Sequence, residues 1–281
     1  MGFAKYAEDD MSKYHAATVI REREHEQLKS GAAADKNQKY RHTEGALKMQ
    51  DEAAKNRMKD FTIAKARPLP VIVLADASGS MSENGKIEAL NQALIDMVRT
   101  FATESRVKAE IQVGLITFGG SKAELFVPLA PAHKISGTAA IPASGATPLG
   151  QALALATCLL EDKDLIPSRA YRPVLVLVSD GLPTDEWESA LAGLDGSERA
   201  SKATRFAMAI GDDADEAMLK RFVNDRETPV FKGHQARDIH RFFRAVTMSV
   251  AARTISANPD QLSGLALDDA APDDEALDLD F

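Results

Sequence analysis

VIVLADASGSMSENGK, residues 71–86, begins as an unbroken apolar run and ends in a cluster of small polar residues. A short apolar stretch rich in Val and Ile reads as a strand buried on both faces, as in parallel sheets covered by helices. Asp76 stands where that strand ends, followed by hydroxyls at Ser78, Ser80 and Ser82. Alternate residues on a turning loop let Ser78 and Ser80 aim at one point, and Gly79 between them lets the backbone turn closely around it.

Outward from this stretch, apolar runs alternate with helical stripes. Residues 86–104 place Ile87, Leu90, Leu94, Met97 or Val98, and Phe101 on one helix face. EIQVGLITFG and AELFVPLA read as two strands of a hairpin joined by GSK. A helix over 148–162 follows, then the strand PVLVLVS, a short helix over 185–194, the strand TRFAMAIG and a helix over 213–224. The strand PVFKG precedes a closing helix over 237–253 with Ile239, Phe242, Phe243, Val246 and Val250 inward. The near-continuous apolar strands predict an α/β fold over 68–253: a doubly wound, mostly parallel sheet with helices on both faces.

The flanks differ in composition. Residues 1–67 carry 14 Lys and Arg against 11 Asp and Glu, without a β-branched run, and read as a helical arm broken near KSGAAADKNQ. Residues 254–281 form an acidic tail, read as disordered, that ends in Phe281. Acids followed by Leu and that Phe loosely resemble the acidic docking tails of bacterial single-stranded DNA-binding proteins; a tail carboxylate filling a metal position is the local alternative.

The net charge of −8 and the near-balance of 68–254 leave the core without the basic footprint that nucleic acid requires. No apolar run approaches the roughly 20 residues of a membrane span, and no signal peptide precedes the domain, so the expectation is a cytoplasmic chain without membrane partners. Cys158 is the single cysteine, on the apolar stretch ALALATCLL, and reads as a buried inert thiol.

In open α/β sheets, ligands gather beyond the carboxyl ends of strands where the winding direction switches. Asp76 is at such an end, Asp180 directly follows VLVLVS, and Thr147 lies in ASGATPLG ahead of a helix. If the two strands are neighbours, three loops deliver two carboxylates and three hydroxyls to one spot. That donor set suits Mg²⁺, or Mn²⁺, with a coordination position left for a carboxylate from a protein partner. Each piece also has a structural reading: Thr147 before Pro148 suits an N-cap, Asp76 or Ser78 suits a loop cap, and Asp180-Gly181 suits a turn.

DASGSM, SGATPLG and SDGLPTDEW together resemble the metal-ion-dependent adhesion site (MIDAS) of von Willebrand factor A domains. The resemblance covers residues 71 to about 253 and implies a Rossmann-like fold. It also implies that Ser78, Ser80 and Thr147 coordinate directly, while Asp76 and Asp180 act largely through water. DGLPTDEW, IGDDADEAMLKRF and FFRAVTMSVAART resemble the bacterial TerY-like group of tellurite-resistance and stress systems. That likeness implies a protein-interaction role beside kinases or phosphatases of the same system.

Other motifs point elsewhere or nowhere. GDDADE, residues 211–216, lacks EF-hand spacing and suits acids at a helix N-terminus. HEQLK around His25 lacks the second His of a zinc site. Trp187 and Phe206 read as packing residues. A phosphoryl-transfer or phosphohydrolase enzyme is the competing class, since an Asp after a buried strand with Mg²⁺ also begins aspartyl-phosphate chemistry; a second Asp is missing at Ser78, and there is no P-loop. A metal-free scaffold acting through the arm is the third.

Overall fold

The computed structural model describes residues 66–104, 109–137 and 139–260. The chain divides into two units, Met1–Lys65 and Ala66–Phe281, and the described residues belong to the second. Residues 1–65 of the expected arm, and the tail from residue 261 onward, lie outside the described residues.

Six strands form one sheet in the order β3-β2-β1-β4-β5-β6. They are β1 (Arg67–Asp76), β2 (Ala109–Gly119), β3 (Lys122–Pro131), β4 (Val174–Ser179), β5 (Thr204–Ile210) and β6 (Phe231–Gly233). All pairings are parallel except the β2–β3 hairpin. Among the described residues the α-helices are α1 (Lys86–Thr103), α2 (Leu149–Glu161), α3 (Trp187–Gly196), α4 (Glu216–Val223) and α5 (Ala236–Ile255).

Alternation along β1 explains the layering. Val71, Val73 and Ala75 share one cluster with Leu90, Leu94 and Met97 of α1 and with Phe242, Phe243 and Val246 of α5. Ile72 and Leu74 point the other way, toward the face on which α2 packs with its buried Leu149, Ala152, Leu153 and Ala156. Every β1 residue after Arg67 is buried, so one strand contributes to two cores. Burial of each large aliphatic side chain there contributes about 1.5–3 kcal/mol.

The expected doubly wound α/β architecture is therefore present, with several local differences. RPLP, read as the approach to the strand, is part of it: Pro68 and Pro70 pair with Glu110 and Gln112 of β2, while pairing to β4 starts only at Val71. The prolines lack an N–H on a side where no ladder has begun, and there the Pro68 carbonyl accepts from the Tyr171 N–H at 2.8 Å. Of the two candidates on α1, Met97 is the core residue. Cys158 is exposed rather than buried, because it falls off the α2 stripe that includes Ala156, Leu159 and Leu160.

Phe206 is buried in the core as expected. Trp187 packs half-buried under the Arg221 guanidinium, 4.6 Å from its ring centre. At the amino ends of the strands, Arg253 donates to the Arg172 carbonyl at 2.8 Å, and Asp260 accepts the Arg172 N–H at 2.7 Å. Burial lowers the Arg253 pKa to about 10.

Candidate metal centre

β1 and β4 are adjacent, and the order places β2 on one side of β1 and β4 on the other, so the winding reverses between β1 and β4. The carboxyl ends of these two strands carry Asp76 and, directly after β4, Asp180. Both are buried, at 0% and 1% exposure. Asp76 Oδ1 accepts the Ser78 N–H at 2.8 Å, and Oδ2 accepts the Ser179 hydroxyl at 2.6 Å. Asp76 thus does cap the loop, and both of its oxygens face protein donors.

Beyond Asp76 the chain makes a short 3-10 turn over Gly79–Ser82, pinned by the buried Met81. Ser78 Oγ lies 3.1 Å from Ser80 Oγ, and Ser80 donates to Asp180 Oδ1 at 2.7 Å. Ser78 is buried, whereas Ser80 is exposed, so the cluster opens to the outside at Ser80. Ser82 turns away and donates to the Gly79 carbonyl at 2.7 Å; it closes the turn.

Thr147 arrives on a loop sewn between its neighbours. The Gly79 N–H donates to the Gly145 carbonyl at 3.0 Å, the Ser144 N–H to that of Ala77 at 2.8 Å, and the Ala146 N–H to that of Gly120 at 3.0 Å. The Thr147 N–H donates to Thr184 Oγ1 at 3.1 Å. Its hydroxyl stands 3.9 Å from where a Gly181 Cβ would be, the same distance as Ser80 Oγ. The two hydroxyls thus flank Gly181, and the described geometry brings all five expected side chains to one crevice.

Thr147 is not the cap of α2. That task falls to Asp185, whose carboxylate accepts the Gly150 and Gln151 N–H groups at 2.8 and 3.0 Å. The expected role of Gly79 also changes: a Cβ there would meet Gly145 at an ordinary 3.5 Å. The crowding lies at Gly119, where a Cβ would come within 2.3 Å of the Ala77 carbonyl oxygen, and at Gly145, where it would come within 2.5 Å of Gly120 Cα. Gly145 also has φ +67°, in the left-handed region.

The motif reading leaves out three participants. Ser179 holds Asp76, Asp185 holds the start of α2 just after Thr147, and Lys86 Nζ contacts Asp180 Oδ2 at 2.7 Å. The hydroxyl beside the aspartate in VSDG signals Ser179, while nothing near Lys86 in the sequence announces its partner 94 positions away. GDDADE behaves as a helix start: Asp215 accepts the Met218 N–H at 2.9 Å and caps α4.

Burial raises the Asp76 pKa above the usual carboxylate value; hydrogen bonds from Ser179 and Ser78 pull it back, and the nearby Asp180 charge pushes it further up. Among the described residues, no three or more His, Cys, Asp or Glu side chains gather as a metal cluster. The donor set at the crevice is instead two carboxylates with three hydroxyls. Among the described residues no helix is long and apolar enough to cross a membrane.

Residues 71–182 match the von Willebrand factor type A domain family. An uncharacterized protein of Mycobacterium tuberculosis is 35% identical over 117 residues, 41% of this chain and 18% of that one. A von Willebrand factor type A structure from Catenulispora acidiphila aligns with a TM-score of 0.53 at 23% identity, covering 66% of this chain and 42% of that one. The pilus adhesin SpaC of Lactobacillus rhamnosus GG aligns at 0.54 with 14% identity, covering 68% and 32%.

Proximal thread matrix protein 1 of the mussel byssus, in a structure with a zinc-occupied MIDAS motif, aligns at 0.51 with 18% identity, covering 66% and 46%. The chain thus spans less than a fifth of the mycobacterial relative and under half of each of these three structures, and at these identities the structural likeness is one of fold. The unit that begins at Ala66 carries a domain with the von Willebrand factor type A fold, matched to that family over residues 71–182.

Proposed function

We propose that this domain is a non-enzymatic, divalent-cation-dependent protein-binding module. The observation that carries the reading is the charge balance of the crevice. Asp76 and Asp180 are buried side by side, Lys86 pairs with Asp180, and the charge acting on Asp76 is the repulsive one of Asp180. A buried carboxylate without a counter-charge is costly, and a cation among the five side chains removes that cost.

The spacing supports the fit. Adjacent ligands of an octahedral Mg²⁺ at about 2.1 Å stand roughly 3.0 Å apart. Ser78 Oγ to Ser80 Oγ, both proposed as direct ligands, is 3.1 Å. Ser78, Ser80 and Thr147 are proposed to hold the ion directly; Asp76, with both oxygens already accepting hydrogen bonds, and Asp180 act largely through water. Mg²⁺ is the proposed ion and Mn²⁺ its alternative; the zinc in the byssus protein makes Zn²⁺ worth titrating. When bound, the cation supplies a Lewis-acidic position open to an outside oxygen ligand.

The proposed partner is a protein that supplies an Asp or Glu to that position. Resemblance to the TerY-like group motivates the wider setting, a cytoplasmic stress system of tellurite-resistance type with a kinase or phosphatase as partner. The engagement of both Asp76 oxygens supports binding over a nucleophilic role in phosphoryl transfer.

Calorimetric titration of EDTA-treated protein with Mg²⁺, Mn²⁺ and Zn²⁺, followed by partner capture with and without EDTA, tests the reading. Wild type is expected to bind one ion, and Asp76→Ala and the Ser78→Ala/Ser80→Ala pair to lose both ion and partner with an unchanged circular dichroism spectrum. Undiminished capture in EDTA, or by those variants, overturns it in favour of a metal-free scaffold.

A further inference from the structure

We infer that Lys86 couples the two ligands of the crevice: it weakens the bare site for a divalent cation and makes the occupied site select an anion from outside. The inference rests on the proposed metal site and adds a residue outside the five-oxygen set.

The placement of Lys86 is unusual for its own helix. It is the first residue of α1, where the helix dipole is positive and a cation is disfavoured. It arrives there through two successive left-handed residues, Asn84 at φ 55° and Gly85 at φ 70°. Local helix physics therefore gives no reason for a lysine at this position, but the tertiary contact does. Its side chain is 16% exposed, and its ammonium lies 2.7 Å from Asp180 Oδ2, on a carboxylate that is itself fully covered. Across from it the chain turns at Gly211, where a Cβ would stand 3.8 Å from the ammonium.

The two oxygens of Asp180 consequently face different partners. Oδ1 receives the Ser80 hydroxyl, on the side of the oxygen cluster, and Oδ2 receives Lys86. A divalent cation entering the cluster meets Asp180 on its Oδ1 side while Lys86 still holds Oδ2. Charge then follows directly: two carboxylates and one ammonium leave the empty crevice at −1, and a divalent cation brings it to +1. Without Lys86 the same arithmetic runs from −2 to zero. The lysine thus opposes cation entry by repulsion across a few ångströms in a partly desolvated crevice, where such terms are strong. Once the cation is in place, the remaining positive charge is cancelled only by an external anion, which makes cation and carboxylate binding mutually reinforcing.

The test uses the full chain and Mn²⁺, whose free and bound forms differ in electron paramagnetic resonance, with acetate as the carboxylate probe against chloride at equal ionic strength. Lys86→Met is expected to bind Mn²⁺ at least tenfold more tightly than wild type in chloride, and Lys86→Arg to stay within about threefold of wild type. Acetate is expected to tighten Mn²⁺ binding in wild type and to do so much less in Lys86→Met. Lys86→Gln, which can retain a neutral donor toward Asp180, serves where Lys86→Met melts early in EDTA. Equal or weaker Mn²⁺ binding by both neutral variants, with wild-type binding intact, overturns the role of Lys86 and leaves the metal site standing. Absence of Mn²⁺ binding in wild type and variants alike overturns both; binding by the neutral variants alone supports the coupling role.

Discussion

The hydroxyl of Ser80 donates to Asp180 Oδ1 across 2.7 Å, joining residues 100 positions apart in the chain. This bond ties the loop after β1 to the loop after β4 and spans the place where the sheet reverses its winding. A hydroxyl that donates to a carboxylate in the absence of a cation can turn its lone pairs toward one, so the same pair serves both states. In EDTA, Ser80→Ala is expected to lose about 1 kcal/mol of stability in urea unfolding, the net worth of one hydrogen bond. In calorimetry the same variant is expected to lose tenfold or more in Mg²⁺ affinity. An unchanged affinity would remove Ser80 from the ligand set.

Thr147 and Asp185 separate chemistry from structure. Because Asp185 caps α2, Asp185→Ala is expected to cost about 1–2 kcal/mol in thermal or urea unfolding. Thr147→Val exchanges only the hydroxyl for a methyl group and is expected to change stability in EDTA by less than about 0.5 kcal/mol while reducing ion affinity. The reverse pattern would make Thr147 the structural residue of the two.

The close passage of Gly145 over Gly120 gives a steric prediction. Gly145→Ala combines a left-handed φ of +67° with a backbone clash at 2.5 Å, and it is expected to destabilise by roughly 2 kcal/mol or more and to weaken ion binding with it. Gly79→Ala, which meets its nearest backbone atom at 3.5 Å, is expected to remain within about 1 kcal/mol of wild type. Comparison of the two melting curves decides the matter.

Glu161, at the end of α2, gives a pH dependence away from the crevice. Burial raises its pKa, but the Ala200 and Arg199 N–H groups, the Ser197 hydroxyl and the Arg199 charge outweigh that and hold it below the ordinary value of 4.5. A depressed carboxylate contributes stability that is present above the unfolded value and is lost as pH falls through the folded one. Wild type is therefore expected to exceed Glu161→Gln in stability at pH 7, with the gap closing below pH 4.5. A gap that persists unchanged into acid would assign the difference to packing.

The hydrophobic pattern of the chain dictated much of this architecture. Both-face burial leaves an uninterrupted apolar run, so VIVLA and VLVLV announced parallel central strands, and the inward stripe of α5 from Ile239 to Val250 was legible from its spacing. Asp76, Ser78, Ser80, Thr147 and Asp180 were legible because each sits in a short motif tied to a strand end or a helix start. Tertiary structure alone decided which long-range neighbours those residues acquired. Lys86 meets Asp180, Ser179 meets Asp76, Asp185 takes the capping role Thr147 could have held, and Gly145 rather than Gly79 carries the crowded backbone. Cys158 looked buried in a run of apolar letters, yet helical rotation places it on the outer surface of α2. Periodicity records which side of an element is covered; ion pairs and close backbone approaches depend on which distant loop lies opposite, and that follows from strand order.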